Sequence, residues 1–346
     1  MTTTTSEYHD AYLSLRESSS DSVDDVYSGS FDFCFGSSGW DKRAVAIAQS
    51  SSFHSKFGLL FQFKHRDNNG LSLNHDKVLA SFYTANCDKL NVQKVDATDL
   101  DPCWKIVVDS LKNCFNELKK PLDVFVDLST TPRYFSMGLM AAGIEAGIIR
   151  SITYGYAEGL YSESENEKNN EIFTEGGWQP VSIPHLDGDW EPHKQRHFIV
   201  SVGFEGTKTR QFVSRLEPDL VSVLFPDPPV RESYIIKTDQ VNARLLKQFG
   251  VNPDHIVRAH AASVVGALQA LAASNLENLE QENCFYICSG TKPHSLALTY
   301  RAIISKSPAV FYGLPERHKV SHIECNGVFW RYEFTDKTVI ESANER

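Results

Sequence analysis

The feature that most constrains the fold is an alternation of strand-like runs with amphipathic stretches, and this alternation occurs twice along the chain. Short β-branched or aromatic runs separated by amphipathic segments are typical of α/β folds with parallel sheets. Two series of five strands are predicted: Phe31–Phe35, Gly58–Phe63, Asn91–Val95, Leu122–Leu128 and Ser151–Tyr156, then His197–Val202, Leu220–Phe225, His255–Ala259, Cys284–Cys288 and Ala309–Tyr312.

The two series share features in the same order, which favours an internal duplication. Small-residue turns follow the first strand at Gly36 and Gly203, and the fifth strands end at Tyr154 and Tyr312. The separation between matched residues falls slowly, from 167 to 158, as changes in loop length would produce. Other matched positions are Phe63 with Phe225, Asp76 with Asp239, and Ser129 with Ser289. The alternative is that two unrelated doubly wound domains share the same alternation. We expect two tandem Rossmann-like α/β units with parallel sheets, packed face to face around a shared cleft.

Composition sets the expected domain boundaries. The N-terminal residues are rich in Ser, Thr and Asp, which predicts a mobile acidic tail with order beginning at Phe31. The segment between the two series holds an acidic run, 163–171, typical of an exposed loop, followed by an additional strand candidate at 176–185. The expected parts are a tail at 1–29, a first unit at 30–160, a linker at 161–196 and a second unit at 197–346.

Charge and cysteine content exclude several classes of protein. The 346 residues include 34 Lys and Arg against 44 Asp and Glu, a net charge of −10, which disfavours direct binding to duplex DNA. The 7 cysteines are scattered without C-x-x-C pairs, as expected for reduced thiols rather than disulfides or a zinc site. No apolar run is long enough to span a membrane, and no secretory signal is recognisable. We expect a cytoplasmic protein without membrane contact.

Ligands of open parallel sheets bind outside the carboxyl ends of the strands, where the strand order reverses. The turns after the first and fourth strands of each copy carry glycines, hydroxyls and basic side chains, which suit the phosphate groups of a nucleotide. Each hydroxyl has an alternative role as a helix N-cap. The candidate ligand-binding residues are Gly36, Ser37, Ser38, Arg43, Thr130, Thr131, Arg133, Gly203, Glu205, Thr207, Lys208, Ser289, Gly290, Thr291, Lys292 and His294.

Known catalytic and cofactor motifs are absent from the sequence. It contains neither the three-glycine dinucleotide fingerprint nor a G-x-x-x-x-G-K-[ST] phosphate loop, so no cofactor is predicted. His260 and His294 are the candidates for proton transfer, His294 in particular for cleavage of a nucleotide, and a hydrogen-bonded packing histidine is the alternative for each. The carboxylates of Asp96, Asp99 and Asp101 have a magnesium site and a solvated turn as alternatives. His185, His193 and His197 are assigned to the linker, and no metal site is predicted.

One segment resembles a known family. Ser289–Ala297, after the strand Cys284–Ile287, is similar to the second motif of CRISPR-associated Rossmann-fold (CARF) sensor domains, and Val200–Gly203 with Thr207 is similar to the first motif. SAVED domains resemble two such units fused in one chain. The resemblance implies binding of a cyclic or linear oligonucleotide second messenger of antiviral defence. It places Gly203, Thr207, Ser289, Gly290, Thr291 and Lys292 in the pocket. The first copy departs from the motif, because its corresponding turn, 129–133, lacks both Gly and Lys.

The sequence thus predicts a sensor or regulatory subunit for a small phosphorylated nucleotide. Both copies and the linker occupy residues 30–335, so the effector is expected to be a separate protein. Two alternatives remain open from the sequence. One is a metal-independent phosphodiesterase that acts on such a nucleotide, and the other is a structural subunit of a larger defence complex without a ligand.

Overall fold

The computed structural model describes residues 4–10, 13–64, 71–161, 173–227, 231–277, 281–306, 308–319 and 323–337. The predicted acidic loop at 163–171 lies outside these residues. The chain divides into two compact units. The first unit consists of residues 1–163 together with 320–346, and the second unit consists of residues 164–319.

The elements of the N-terminal part all belong to the first unit. In chain order they are β1 (Thr4–His9), β2 (Leu13–Ser20), α1 (Val23–Tyr27), β3 (Gly29–Ser38), β4 (Phe53–Phe63), α2 (Leu71–Asn86), β5 (Cys87–Val95), α3 (Leu100–Leu118), β6 (Leu122–Asp127), α4 (Arg133–Glu145) and β7 (Ile149–Leu160). A short 3-10 turn at Lys42–Val45 follows β3.

The second unit contains the next six strands and four helices, and the last strand returns to the first unit. These elements are β8 (Thr174–Ser182), β9 (Gln195–Ser201), α5 (Gly206–Arg215), β10 (Leu220–Pro226), α6 (Glu232–Gln248), β11 (Ile256–Ala259), α7 (Val264–Ser274), β12 (Glu282–Cys288), α8 (Lys292–Ser305), β13 (Ala309–His318) and β14 (Glu324–Asp336).

The two sheets repeat one strand order. The first runs β1-β2-β14-β7-β6-β3-β4-β5, and the second runs β11-β10-β9-β12-β13-β8. Within each, five parallel strands follow the order third, second, first, fourth, fifth. These are five of the six strands of the Rossmann order, third, second, first, fourth, fifth, sixth. All ten predicted strands are present, and the fold class is confirmed as two tandem Rossmann-like α/β units with the same topology.

The N-terminal residues differ from the predicted tail, because β1, β2 and α1 lie within 4–27. In β2, Leu13 and Leu15 are almost completely buried while Arg16 is exposed. A strand with one buried face needs apolar residues only at alternate positions. Its overall composition is therefore polar, so composition alone does not distinguish this strand from a tail.

The C-terminal boundary also differs from the prediction, since β14 belongs to the first unit. It pairs antiparallel with β2 on one side and with β7 on the other. Tyr332 and Phe334 are buried, and the guanidinium of Arg331 donates to the carbonyls of Val26 at 3.0 Å and Ser28 at 2.8 Å. The second unit therefore ends before β14. The strand predicted within 176–185 is present as β8, an antiparallel edge strand beside β13.

The core of the first unit forms around its central strand. Phe31, Phe33 and Phe35 of β3 are buried, and the Phe125 ring lies 5.1 Å from both Phe31 and Phe53, measured between centroids. Aromatic pairs at such distances add stability beyond the area that they bury. Among the residues that the structure describes, no helix is long and apolar enough to cross a membrane.

Replacing Phe334 by Ala tests the assignment of β14. Phe334 is 1% exposed, so its truncation is expected to cost about 3–5 kcal/mol of stability. Amide hydrogen exchange should become faster in β2 and β7, the two neighbours of β14, while β12 and β13 keep their protection. Exchange is read by mass spectrometry of peptic fragments.

Ile287→Ala is the matched control for that experiment, because Ile287 is equally buried but lies in β12 of the second unit. It should accelerate exchange in β9 and β13 and leave β2 and β7 unchanged. If Phe334→Ala loosened β12 or β13 instead, the assignment of β14 to the first unit would be wrong.

Candidate ligand-binding turns at the strand carboxyl ends

The strand order places a reversal between the first and fourth strands of each sheet, that is between β3 and β6 and between β9 and β12. In open α/β sheets, ligands bind in the crevice outside the carboxyl ends of the strands at this point. The turns after these four strands are the turns that the sequence singled out.

In the second unit the two turns are in direct contact. The Ser289 hydroxyl donates to the carbonyl of Ser201 at 2.6 Å, and the backbone N–H of Gly290 donates to Ser201 Oγ at 3.1 Å. A Cβ on Gly290 would lie 2.7 Å from the Val202 carbonyl oxygen, closer than real Cβ contacts. Glycine is therefore required at 290 for the two backbones to meet.

A residue of α6 that the sequence did not single out holds the first of these turns. Asn242 is fully buried, and its Nδ2 donates to the carbonyls of Gly203 at 2.9 Å and Thr238 at 2.8 Å. Side-chain amides in helices are ordinarily exposed, so a buried one signals a structural contact. The sequence signal is weak, since Asn242 differs from a surface position only by its spacing from Thr238 and Leu245 on the buried face of α6.

The second turn leads into α8, whose start is well defined. Thr291 is the N-cap, and its Oγ1 accepts from the His294 backbone N–H at 3.3 Å. Pro293 follows at a position where the missing N–H costs nothing. Lys292 opens the 14-residue helix and is half-buried. The first turn of a helix offers N–H groups to an anion, and a lysine beside it adds positive charge.

In the first unit the corresponding turns bring three hydroxyls together. Ser37 Oγ lies 3.5 Å from Thr130 Oγ1 and 3.4 Å from Thr131 Oγ1, and Thr130 Oγ1 donates to the Ser37 carbonyl at 2.8 Å. Arg133 follows as the first residue of α4 and is half-buried. The predicted residues Ser37, Thr130 and Thr131 thus lie at one point, the end of β3.

The hydroxyl contacts also correct the alignment of the two copies. In each unit, a hydroxyl of the turn after the fourth strand donates to a serine carbonyl at the end of the first strand. Thr130 donates to Ser37 in the first unit, and Ser289 donates to Ser201 in the second. This equivalence matches Gly203 with Gly39 rather than with Gly36. Gly36 is buried inside β3, where a Cβ would overlap the Tyr83 hydroxyl. Its lack of a side chain serves packing against α2.

Two further predicted residues of the first unit bind other parts of that unit. The Ser38 hydroxyl donates to the Asp76 carboxylate. The guanidinium of Arg43 is buried, where Nη2 donates to Asp41 Oδ2 at 2.6 Å and Nη1 donates to the Ala157 carbonyl at 3.4 Å. Arg43 therefore connects the 3-10 turn to β7, and its charge is neutralised by Asp41.

In the second unit, Glu205 and Lys208 are buried and bind the start of β8. Glu205 Oε1 accepts from the Thr174 hydroxyl at 2.7 Å and from its backbone N–H at 3.1 Å. Lys208 Nζ donates to Thr174 Oγ1 at 2.8 Å and lies 3.7 Å from Glu205 Oε1. Burial raises the pKa of Glu205, although the Thr174 hydrogen bonds and the Lys208 charge act in the opposite direction. These two residues anchor β8 on α5.

The histidines and the aspartate that the sequence singled out also make contacts within the fold. His294 is fully buried, and its Nε2–H donates to the His260 carbonyl at 3.0 Å. Burial lowers the pKa of His294 to about 4, so the ring is neutral near pH 7. This geometry is that of a packing histidine. Asp96 Oδ1 accepts from the Thr98 N–H at 3.0 Å within a turn. His197 is fully buried in β9 and is not a linker residue.

Comparison with known proteins adds little. No protein-family model matches the sequence. No curated protein matches it either. Among solved structures, the functionally unknown protein PA1789 from Pseudomonas aeruginosa PAO1 has 10% identity and a TM-score of 0.23, over 82% of this chain and 92% of that one. A UDP-N-acetylglucosamine 2-epimerase has 13% identity and a TM-score of 0.22, over 80% of this chain and 91% of that one. Such TM-scores carry no argument about fold or function.

Gly290→Ala should separate the two turns of the second unit, since its methyl group would press on the Val202 carbonyl. Overpacking of this kind costs typically about 1–3 kcal/mol. The matched control is Gly203→Ala, whose Cβ would meet its neighbours at 3.5 Å or more and should change stability by less than about 1 kcal/mol. Urea unfolding of both variants measures the difference, and equal stabilities would contradict the close contact.

Acid should destabilise the protein partly through His294. The unfolded chain binds a proton at this residue below about pH 6.5, whereas the folded protein resists protonation down to about pH 4. The contribution of His294 to the free energy of unfolding is therefore constant above about pH 6.5 and falls by roughly 3 kcal/mol between pH 6.5 and 4. In His294→Gln the decline over this interval should be shallower by about that amount.

The control for the pH experiment is His193→Gln, because His193 is a highly exposed histidine of the same unit. Its profile of unfolding free energy against pH, measured by urea titration at several pH values, should run parallel to that of the wild-type protein. Parallel profiles for the wild-type protein and His294→Gln would show that His294 is not buried in its neutral form.

Proposed function

We propose that this protein is a nucleotide-binding sensor or regulatory subunit that acts with a separate effector chain. The observation that carries the proposal is the same in both units. A sheet with the strand order third, second, first, fourth, fifth presents small, hydroxyl-bearing turns at the point where its order reverses. That point is where such sheets bind nucleotides.

In the second unit the chemistry suits a phosphate group. Gly203 and Gly290 let the two turns meet closely, and α8 begins at Lys292, two residues after Gly290. Lys292 contributes a positive charge at the start of α8, and Thr207 contributes a hydroxyl in the first turn of α5. Charge-assisted hydrogen bonds to phosphate oxygens are roughly twice as strong as neutral ones.

The first unit offers a different set of donors. Thr130 and Arg133 are partly exposed at the end of β3, whereas Ser37 and Thr131, whose hydroxyls lie beside that of Thr130, are buried. Hydroxyls both donate and accept, so they can bind ribose hydroxyls as well as phosphate. The planar guanidinium of Arg133 can bind a phosphate through two parallel hydrogen bonds. We therefore propose that the turns of the first unit bind a ligand through a different set of groups from those of the second unit.

The class of ligand is proposed from the sequence resemblance. Ser289–Ala297 is similar to the second CARF motif, and the duplicated topology supports a SAVED-like arrangement of two such units. On this basis the ligand is a cyclic oligonucleotide second messenger of prokaryotic antiviral defence. Binding would shift the populations of conformational states of the chain, because a ligand changes an equilibrium only through its different contacts in each state.

Binding without turnover is favoured over a phosphodiesterase activity. A metal-independent cleavage needs a group that transfers a proton near pH 7, and His294 was the candidate. Its ring is buried, neutral and bonded to the His260 carbonyl. The contacts of His294 therefore support packing rather than proton transfer.

A thermal-shift screen tests the proposal. The purified chain is mixed with mononucleotides, dinucleotide cofactors and cyclic di-, tri- and tetranucleotides, and its melting temperature is measured. A ligand at 100 times its dissociation constant stabilises the folded state by about 2.7 kcal/mol, which raises the melting temperature measurably. We expect the shift with cyclic oligonucleotides only.

Lys292→Ala should then weaken binding of the active nucleotide. Loss of one hydrogen bond to a charged group costs about 1.5–3 kcal/mol, or roughly 10- to 100-fold in dissociation constant. The control is Lys247→Ala, which removes the same charge from an exposed position in the last turn of α6. A wild-type affinity for Lys292→Ala, or no stabilisation by any nucleotide, would refute the proposed site and favour the structural-subunit alternative.

A further inference from the structure

A cluster of three chemically active side chains lies at the amino ends of β9 and β12 in the second unit, the opposite end of these strands from the turns described above. His197 is the third residue of β9, and Glu282 and Cys284 lie at the start of β12. Because side chains alternate along a strand, Glu282 and Cys284 point to the same face. The parallel register pairs Cys284 directly with His197. Neighbouring strands thus bring an imidazole, a carboxylate and a thiol together.

The distances within this cluster fit a small cation. One nitrogen of His197, one carboxylate oxygen of Glu282 and Cys284 Sγ all lie within 4.8 Å of one another. His197 Nδ1 and Glu282 Oε2 are 2.7 Å apart. Tetrahedral zinc with bonds of about 2.0–2.3 Å separates its ligands by roughly 3–4 Å. Small side-chain rotations would therefore bring these three atoms onto one ion.

We propose that His197 Nδ1, Glu282 and Cys284 Sγ bind a divalent transition-metal ion of the zinc type. Imidazole and thiolate ligands select zinc-like ions over magnesium or calcium. A neutral imidazole with one carboxylate and one thiolate balances the two positive charges of the ion. The assembled site is therefore neutral, which removes most of the cost of burying charge.

The hydrogen bonds behind His197 are those expected for a metal ligand. His197 Nε2 lies 2.7 Å from Ser222 Oγ, and Ser222 Oγ lies 2.9 Å from His255 Nδ1. Metal-binding histidines almost always bond through their second ring nitrogen, which holds the tautomer and the orientation of the ring. With the ion on Nδ1, the Nε2–H donates to Ser222 Oγ, so Ser222 is a positioning residue of the site.

The exposure of the three ligand side chains indicates where the ion enters and where a fourth ligand can bind. His197 and Cys284 are buried, whereas the Glu282 side chain is 15% exposed. The ion can enter along Glu282, and a water molecule can complete the tetrahedron from that side. Three protein ligands with a water at the fourth position are the arrangement of catalytic rather than structural zinc sites. Binding releases the thiol proton of Cys284 to solvent.

Cobalt substitution of the full chain tests the proposal directly. The purified protein is stripped of metal with a chelator under reducing conditions and then titrated with Co²⁺. We expect one Co²⁺ per chain, a near-ultraviolet thiolate-to-cobalt charge-transfer band, and loss of the band when Zn²⁺ is added. Elemental analysis after reloading with Zn²⁺ gives the stoichiometry independently. A folded wild-type protein that binds no stoichiometric Co²⁺ or Zn²⁺ overturns the proposal.

Two cysteine variants identify the thiolate. Cys284→Ser should abolish the charge-transfer band, whereas Cys288→Ser should retain it, because Cys288 is equally buried but lies at the other end of β12. A band that survives in Cys284→Ser and disappears in Cys288→Ser overturns the assignment. Circular dichroism confirms that each variant is folded.

Two further variants keep the test decisive if Cys284→Ser fails to fold. Glu282→Gln removes a ligand charge with little change in shape and should weaken Co²⁺ binding while the band remains. Ser222→Ala should weaken binding by about 10- to 100-fold with the band unchanged, the usual effect of losing a partner behind a metal ligand. If Glu282→Gln and Ser222→Ala both bind Co²⁺ as the wild-type protein does, the cluster is a hydrogen-bonded bridge between strands and the proposal fails.

Discussion

In both units, the carbonyl of a serine at the end of the first strand accepts a hydrogen bond from a hydroxyl of the turn after the fourth strand. The donors are Thr130 for Ser37 and Ser289 for Ser201. This contact exists because the first and fourth strands are parallel neighbours, so their carboxyl ends lie side by side. The strand on either side and the helices that follow the turns are positioned by the same pairing. The positions of the candidate turns therefore depend on one pair of neighbouring strands in each unit, β3 with β6 and β9 with β12.

The two ends of the second sheet have different chemistry. At the carboxyl end, the first turn of α8 and the half-buried Lys292 suit an anionic ligand. At the amino end, His197 and Cys284 are enclosed by neighbouring strands, which suits a small ion held by few, well-oriented atoms. The same strands, β9 and β12, supply both ends. A change in either strand would therefore affect both proposed sites.

Several buried charged side chains of the described residues lie beside an opposite charge. Asp32 of β3 accepts from Lys56 Nζ at 2.9 Å and from Lys120 Nζ at 2.6 Å, and Arg43 is paired with Asp41. Burial alone would raise the pKa of Asp32, but the hydrogen bonds from the two lysines and from the Asp123 N–H outweigh it and lower the pKa. Glu205 and Lys208 form a third such pair. Breaking one partner of a buried pair leaves an uncompensated charge, so these residues constrain the structure.

Much of the candidate ligand-binding site at the carboxyl ends of the strands could be predicted, because its location follows from the strand order. Ser37, Thr130 and Thr131 were singled out as turn residues after the first and fourth strands, and they do meet. Arg43, Glu205 and Lys208 were singled out by the same reasoning and instead bind other segments, since a charged residue in a turn does not reveal its partner. Asn242 and the cluster around His197 were missed. Their only sequence signals are a polar residue on an apolar helix face and an E-x-C spacing on one strand face.

The sequence by itself determined the number, direction and duplication of the parallel strands, because hydrophobic periodicity and turn chemistry are local properties of a chain. Only the tertiary structure decided which antiparallel strands extend each sheet. The polar strand β2 pairs with β14, more than three hundred residues away, and the local sequence of either segment does not reveal this partner. It also decided which charged side chains are buried in pairs and which remain at the turns. Those outcomes depend on contacts between distant segments, where the free energy of burial and pairing is gained only once the chain has folded.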